Sequence, residues 1–179
     1  IVDLTAIDIG ARLIALDSEG QISRIEEAGK RFAAEICLDL EPGMPLVEEH
    51  REEMANHMAD RLMEIISFDA ISPGTDALLR LPPITWRGRI DVVTFSGGVS
   101  EFIYGNADRN FGDLGQALAR AIHRRVEQAG FRIMEPVEGI RAPVVGASQY
   151  TIQLSGTTIF VTSEDILPLR NIPVIAPDF

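Results

Sequence analysis

The chain has 179 residues, 46% of them hydrophobic and 24% charged, with 27 acidic against 16 basic side chains and a formal net charge of −11. That length fits a single domain with a substantial core, and a surface of that sign repels a phosphate backbone, which argues against a nucleic-acid partner. No stretch approaches the roughly 18 consecutive apolar residues of a membrane-spanning helix, so a transmembrane role is not expected.

The single Cys37 excludes an internal disulfide framework. With no signal-peptide pattern over residues 1–8, it points to a reducing, cytoplasmic compartment. The chain begins with Ile1 rather than Met, which reads as part of something longer. Cys37 lies in the apolar stretch 32–40 with no histidine near it in sequence, so it is expected as a small buried hydrophobe.

Residues 4–9 and 13–16 alternate like half-buried strands, and Asp17-Ser18-Glu19-Gly20 is a turn leading into 21–25, so a β-hairpin should open the chain. Residues 26–35 suit a short helix, which Pro42-Gly43-Met44-Pro45 separates from the next element. Over 46–67, Met54, Met58, Leu62 and Ile65 recur at helical spacing while Glu48, Glu49, Glu52 and Asp60 lie off that stripe. This predicts a long helix packing one face on a sheet, with Pro45 at its first turn. Residues 68–89, with Pro73-Gly74, Pro82-Pro83 and Trp86, read as irregular connecting chain with at most one short element.

Residues 90–95, Ile-Asp-Val-Val-Thr-Phe, predict a strand covered on both faces that stops at Gly97-Gly98, after which 99–104 can start a helix. Ligands of open α/β sheets sit outside the carboxyl ends of strands, and glycine there lets a planar ring or ribose approach the backbone. The first helical N–H groups, with the hydroxyls of Ser96 and Ser100, would face the same crevice. A Ser-Gly-Gly after a strand is also simply a tight turn, and these residues alone leave both readings open.

Residues 105–112 form a polar loop, and Asp113 can cap a helix whose Leu114, Leu118, Ile122 and Val126 lie four apart and which Gly130 ends. Residues 131–134 and 142–146 suit further strands, 150–154 and 157–161 flank a hairpin turn at Ser155-Gly156, and the proline spacing of 167–173 suits an edge or surface run. No repeat or linker divides the chain, so residues 1–179 are expected as one domain.

Other candidate chemistry is weak. His50 and His57 are separated by about 10 Å of helical rise, too far for one Zn²⁺, and belong to a polar helix border. His123, with Arg120, Arg124 and Arg125, complements a helix C-terminus. Gly29-Lys30-Arg31 lacks the rest of a phosphate loop, and no G-x-G-x-x-G occurs. Asp8-Ile9-Gly10 runs into Ala11-Arg12-Leu13 instead of a hydroxyl, so Asp8 reads as a strand residue. Glu101, Asp108 and Asp113 suit solvated-loop and capping roles.

Phe95-Ser96-Gly97-Gly98-Val99-Ser100-Glu101-Phe102-Ile103-Tyr104-Gly105, followed by Phe111-Gly112-Asp113-Leu114-Gly115, resembles the ethanolamine-utilization EutA family. So do Ile9-Gly10-Ala11-Arg12-Leu13-Ile14, Gly139-Ile140-Arg141-Ala142, Val145-Gly146-Ala147-Ser148, Gln153-Leu154-Ser155-Gly156 and Leu167-Pro168-Leu169-Arg170-Asn171. The resemblance implies half of an actin-like ATPase (ribonuclease H-like) fold: α/β, a mixed sheet flanked by helices. It also implies a reactivating factor that uses ATP and Mg²⁺ to drive damaged cobalamin out of adenosylcobalamin-dependent ethanolamine ammonia-lyase, in a bacterial cytoplasm and in association with an ethanolamine microcompartment. In that fold the Gly-Gly-x-Ser after a strand is the adenosine motif, which carries over to Gly97, Gly98 and Ser100, with Ser96 adjacent. The family's first phosphate-binding hairpin is expected to precede Ile1, and Ala11 stands where a second glycine is common. No catalytic residue or metal ligand is therefore assigned in this chain, and no turnover is expected from it alone. A small-molecule kinase of the same fold, and an interaction module using the acidic helix 46–67, are the competing functions.

Overall fold

The computed structural model describes residues 2–136 and Arg141. The expected strand at 142–146, the hairpin about Ser155-Gly156 and the proline-spaced tail lie outside the described residues.

Asp17 builds the first turn. Its carboxylate accepts the N–H groups of Glu19 and Gln21, both at 2.9 Å, and Gly20 closes the turn at φ 79°. The turn joins β1 (Ile14–Leu16) to β2 (Ile22–Ile25) in an antiparallel pair with Ile14 opposite Ile25. Ile14 and Ile22 point into the core. Residues 4–9 form no strand. Ile7 makes one isolated bridge to Leu79, because among the described residues the turn carrying Leu78 to Arg80 is what lies beside it: Asp8 N–H reaches the Leu78 carbonyl at 3.0 Å, and the Arg80 guanidinium reaches the Asp8 carboxylate at 2.7 Å.

Helix α1 (Glu27–Glu35) lies so close to the hairpin that a Cβ on Gly29 would meet the Leu13 carbonyl oxygen at 2.7 Å. Two longer helices, α2 (Glu48–Ile66) and α5 (Gly115–Gln128), pack side by side. Met54, Ala55, Met58 and Ala59 of one, and Leu118, Ala121, Ile122 and Val126 of the other, are buried in the common core. The alanines let the backbones approach, and the methionines fill what remains. Pro45 lies before α2 rather than in its first turn, bridging to Gln21. The polar edge of this pair is cross-linked. Arg120 reaches Glu48 and Glu52, Arg124 reaches Asn56 at 2.6 Å, and Arg125 holds Asn56 and Asp60. The arginines of α5 thus answer the acids of α2 as well as their own helix dipole. Among the described residues no helix is long and apolar enough to cross a membrane.

A polar network ties α1, α2 and the short α3 (Pro73–Asp76) together. Glu35 takes His57 Nδ1 at 2.9 Å and Arg61 at 3.0 Å, and Arg61 continues to Glu64 at 3.2 Å and Ser72 at 3.0 Å. Glu64 in turn accepts the hydroxyl of the fully buried Thr75 at 2.6 Å and the Ser72 N–H at 2.9 Å. Burial opposes the Glu64 charge, but the bonds from Thr75, Ser72 and Arg61 outweigh it and hold the carboxyl below its ordinary value. Near the chain start, the N–H groups of Trp86, Thr85 and Leu4 lower Asp3 to about 2 from 3.8. Both folded-state values lie below the unfolded ones, so this stability is present above about pH 4.5 and is lost as the pH falls through the folded values. Glu64→Gln and Asp3→Asn are each expected to flatten the acid limb of stability, read as urea midpoints between about pH 5 and pH 2.

Four helices end in the same way. The residue two past the last helical one adopts positive φ, and the N–H groups of that residue and the next bond back to the last turn. Gly105 and Gly130 serve at φ 74° and 76°, but Cys37 and Phe68 do so at 59° and 58° with side chains. Cys37 N–H reaches the Ala34 carbonyl at 3.0 Å, and Leu38 N–H reaches that of Ala33 at 2.9 Å. Cys37 is therefore exposed at a helix end rather than buried, since the apolar spacing of 32–40 is broken by this reversal. Phe68 is compensated by Trp86, 5.5 Å away edge to face, and by the Arg87 guanidinium over its ring. Cys37→Gly is expected to stabilise the chain by up to about 1 kcal/mol and Phe68→Gly to destabilise it, both measured by chemical denaturation.

Candidate functional site

Residues 90–95 do not form the expected strand covered on both faces. Val93 makes one parallel bridge to Ile133, through Val93 N–H to the Arg132 carbonyl at 2.9 Å and Met134 N–H to the Val93 carbonyl at 3.0 Å. Asp91 and Thr94 are exposed while Val92, Val93 and Phe95 are half-buried, because the segment has one neighbour among the described residues. Its direction is fixed by Tyr104, whose hydroxyl accepts the Phe95 N–H at 2.7 Å and lies 3.2 Å from the carbonyls of Phe95 and Met134.

The run delivers the chain to Gly97 and then to α4 (Gly98–Ile103). Gly97 has φ 95° and ψ −173°, a conformation essentially restricted to glycine. Ser100 is buried, and its hydroxyl donates to the Gly97 carbonyl at 2.7 Å, which the Ser100 N–H also reaches at 3.2 Å. That hydroxyl closes the first turn of α4 instead of facing a crevice. Ser96 is exposed. Gly98 is the one of the four predicted site residues that lines a cavity.

The cavity measures about 610 Å³, within the ~300–1,000 Å³ range of small-molecule pockets. One wall is the short 3₁₀ turn Ala11–Leu13 with Gly10 before it, another is the face of α4 bearing Gly98, Glu101 and Phe102, and the loop with Ala107 and Phe111 closes the third. The lining is mostly apolar, with Arg12, Glu101 and Asp113 as its charged groups.

The Phe-Gly-Asp-Leu-Gly motif mounts the third wall rigidly. Gly112 sits at φ 66°, and a Cβ there would meet the Leu16 carbonyl oxygen at 2.6 Å. Its N–H bonds Asn110 at 2.8 Å, and its carbonyl takes the Leu16 N–H. Leu114 rather than Asp113 is the N-cap of α5, and Asp113, one residue earlier, accepts the Gly115 N–H at 2.8 Å; Gly115 lacks a Cβ that would lie 3.0 Å from the Phe102 ring. On this mount Phe111 stays 54% exposed, 5.8 Å from Phe102 edge to face, with the Arg109 guanidinium 5.8 Å over its ring. An exposed aromatic held by so many backbone bonds is preorganised for contact.

Arg12, Phe102 and Phe111 are thus the wall residues that the glycine signal missed; each lies in a segment that carries the family resemblance, but nothing in its local sequence marks it as facing a cavity. Asp8 is drawn off to Arg80, and Asp108 lies on the exposed loop. Among the described residues no cluster of three or more His, Cys, Asp or Glu could hold a metal ion.

The family described as ethanolamine utilisation protein EutA matches the chain over residues 1–179. The ethanolamine ammonia-lyase reactivase EutA of Salmonella typhimurium is 32% identical over 175 residues, covering 96% of this chain and 37% of its own length. The reactivase of the same name from Escherichia coli is 30% identical over 173 residues, with 96% and 37% covered. The chain therefore spans little more than a third of the length of these relatives. No solved structure matches it significantly. The chain belongs to the EutA family.

The two glycines make different demands. Gly97 is required by its own backbone, whereas at Gly98, the first residue of α4, a Cβ would meet nothing within 4 Å. Gly97→Ala is expected to cost about 1–3 kcal/mol and Gly98→Ala to stabilise by about 0.5 kcal/mol, both read from thermal unfolding of the full chain.

Proposed function

We propose that this EutA-family chain forms the nucleoside-holding half of an ATP cleft in an actin-like ATPase fold, and that the whole protein is an ATP-dependent reactivating factor for adenosylcobalamin-dependent ethanolamine ammonia-lyase. The observation that carries the proposal is Gly98: a helical glycine that neither its φ nor its neighbours require, standing on the wall of an apolar cavity. Glycine costs a helix about 0.5–1 kcal/mol in its middle and less at a first position such as this, and room for a ligand accounts for it.

The residues present fit a nucleoside. Phe111 and Phe102 offer aromatic surface, Gly98 and Ala11 keep the walls low, and Arg12 is the cation on the lining. Bound ATP would supply differential binding energy: its hydrolysis state must change the affinity of the protein for the lyase, otherwise nucleotide could not drive cobalamin release. The chain's own part is to hold and orient the nucleoside end. Mg²⁺ ligands are not assigned among the described residues. We place the work in the bacterial cytoplasm, beside an ethanolamine microcompartment.

Two measurements test this. In equilibrium titration of the full chain with ATP, Gly98→Leu is expected to abolish binding and Phe111→Ala to weaken it about 5- to 100-fold, the worth of one stacked ring. Saturable binding unaffected by either change would place the nucleotide elsewhere. Grafting residues 1–179 in place of the matching segment of the Escherichia coli reactivase should preserve ATP-dependent rescue of cyanocobalamin-inhibited ethanolamine ammonia-lyase. Phosphoryl transfer to a small molecule without rescue would favour a kinase instead.

A further inference from the structure

Gly98, Glu101 and Phe102 stand three and four residues apart on α4, so one face of that helix carries all three to the cavity. The opposite face is buried through Ser100 and Ile103. Glu101 differs from the other charged groups on this lining. Asp113 has a carboxylate oxygen engaged by the Gly115 N–H, and Arg12 is a cation. The main-chain carbonyl of Glu101 is occupied by Asn106 N–H at 2.7 Å and Ala107 N–H at 3.2 Å. Its carboxylate makes no hydrogen bond or ion pair among the described residues, and none joins it to Arg12.

Resting on the nucleoside reading of the cavity, we propose that Glu101 is its specificity-determining residue, accepting a hydrogen bond from a donor on the nucleoside. A carboxylate is an acceptor only, so an occupant that strips its water must return an N–H or O–H, or leave a desolvated charge beside apolar walls. Phosphate oxygens are excluded as partners by their charge, which directs the nucleoside end toward Glu101 and the phosphates away from it. Two groups of a nucleoside have the required chemistry: the exocyclic amine of the base and the ribose hydroxyls. A site built around such a donor discriminates strongly against an analogue that lacks it.

The test measures dissociation constants of ATP, inosine triphosphate, 2′-deoxy-ATP and 3′-deoxy-ATP for the full chain and for Glu101→Ala, Glu101→Gln and Gly98→Leu, with folding checked by circular dichroism. The native chain is expected to bind one class of analogue about 10- to 100-fold more weakly than ATP. Inosine triphosphate would identify the amine as the donor, and the deoxy analogues the ribose. Glu101→Ala should weaken ATP by the same factor and erase the discrimination, while Glu101→Gln, which keeps an acceptor oxygen, should retain part of it. If Gly98→Leu abolishes ATP binding but no analogue is discriminated, or Glu101→Ala leaves discrimination intact, the role of Glu101 is overturned and the cavity reading stands. If ATP fails to bind, or Gly98→Leu leaves binding unchanged, the cavity reading falls and the role of Glu101 with it.

Discussion

The backbone contact between Leu16 and Gly112 is the constraint on which the rest depends. Leu16 donates its N–H to the Gly112 carbonyl, and its own carbonyl lies where a Cβ on residue 112 would be 2.6 Å away. Two neighbouring contacts extend the seam: Ala15 bridges to Asp113, and Leu114 N–H reaches the Ala11 carbonyl at 3.2 Å. Hairpin and α5 are thereby locked in one register. That register sets Gly10, Ala11 and Arg12 opposite α4, so the cavity is a consequence of a single close backbone approach that only glycine permits.

The strongly acidic composition becomes intelligible against the same frame. Acids lying off the apolar stripe of α2 look like a solvated face or a partner surface in sequence, but Glu48, Glu52 and Asp60 meet arginines of α5 and Glu64 meets Arg61. Each exposed pair is worth about 0.2–1 kcal/mol and contributes little to overall stability. What the three pairs between the helices supply is alignment, since a slide of α5 along α2 would break them together. Glu48 and Asp60 stay exposed but paired, and Glu49 and Glu53 are the exposed acids of α2 without an ion pair among the described residues, a narrower unpaired acidic surface than composition suggests.

Legibility followed local chemistry. The turn at Asp17 and Gly20, the long amphipathic helix, the start of α5 to within a residue of Asp113 and the Gly130 stop were readable because each is decided within a few residues by hydrogen-bonding or backbone preference. The strands at 4–9 and 90–95 were misread because a β-branched run becomes a strand only if a partner lies beside it, and the described neighbours offer each one bridge. Cys37 and Phe68 escaped for a related reason. A helix reversal that lacks glycine has no local signature, and Phe68 is held by Trp86, eighteen positions away in sequence. At the site, a glycine pair was visible but not the aromatic wall, since Phe102 and Phe111 look like ordinary apolar residues until the loop between them folds back.

The four residues singled out from sequence divide by what each one's chemistry is already doing. Ser100 and Gly97 satisfy each other: the hydroxyl closes the turn that the glycine's unusual dihedrals open. Together they fix where α4 begins. Gly98 is left as the residue whose smallness serves nothing within the described chain, and Glu101, in the first turn of the same helix, as the cavity-lining carboxylate with no side-chain partner among the described residues. Free energy gives both the same meaning. A glycine at a helical position forgoes the stability a Cβ would add, and the half-exposed Glu101 carboxylate keeps its water until an occupant displaces it. Both suit one kind of occupant: a molecule large enough to need the space left by Gly98, flat enough to lie against Phe111, and carrying a hydrogen-bond donor where it meets Glu101.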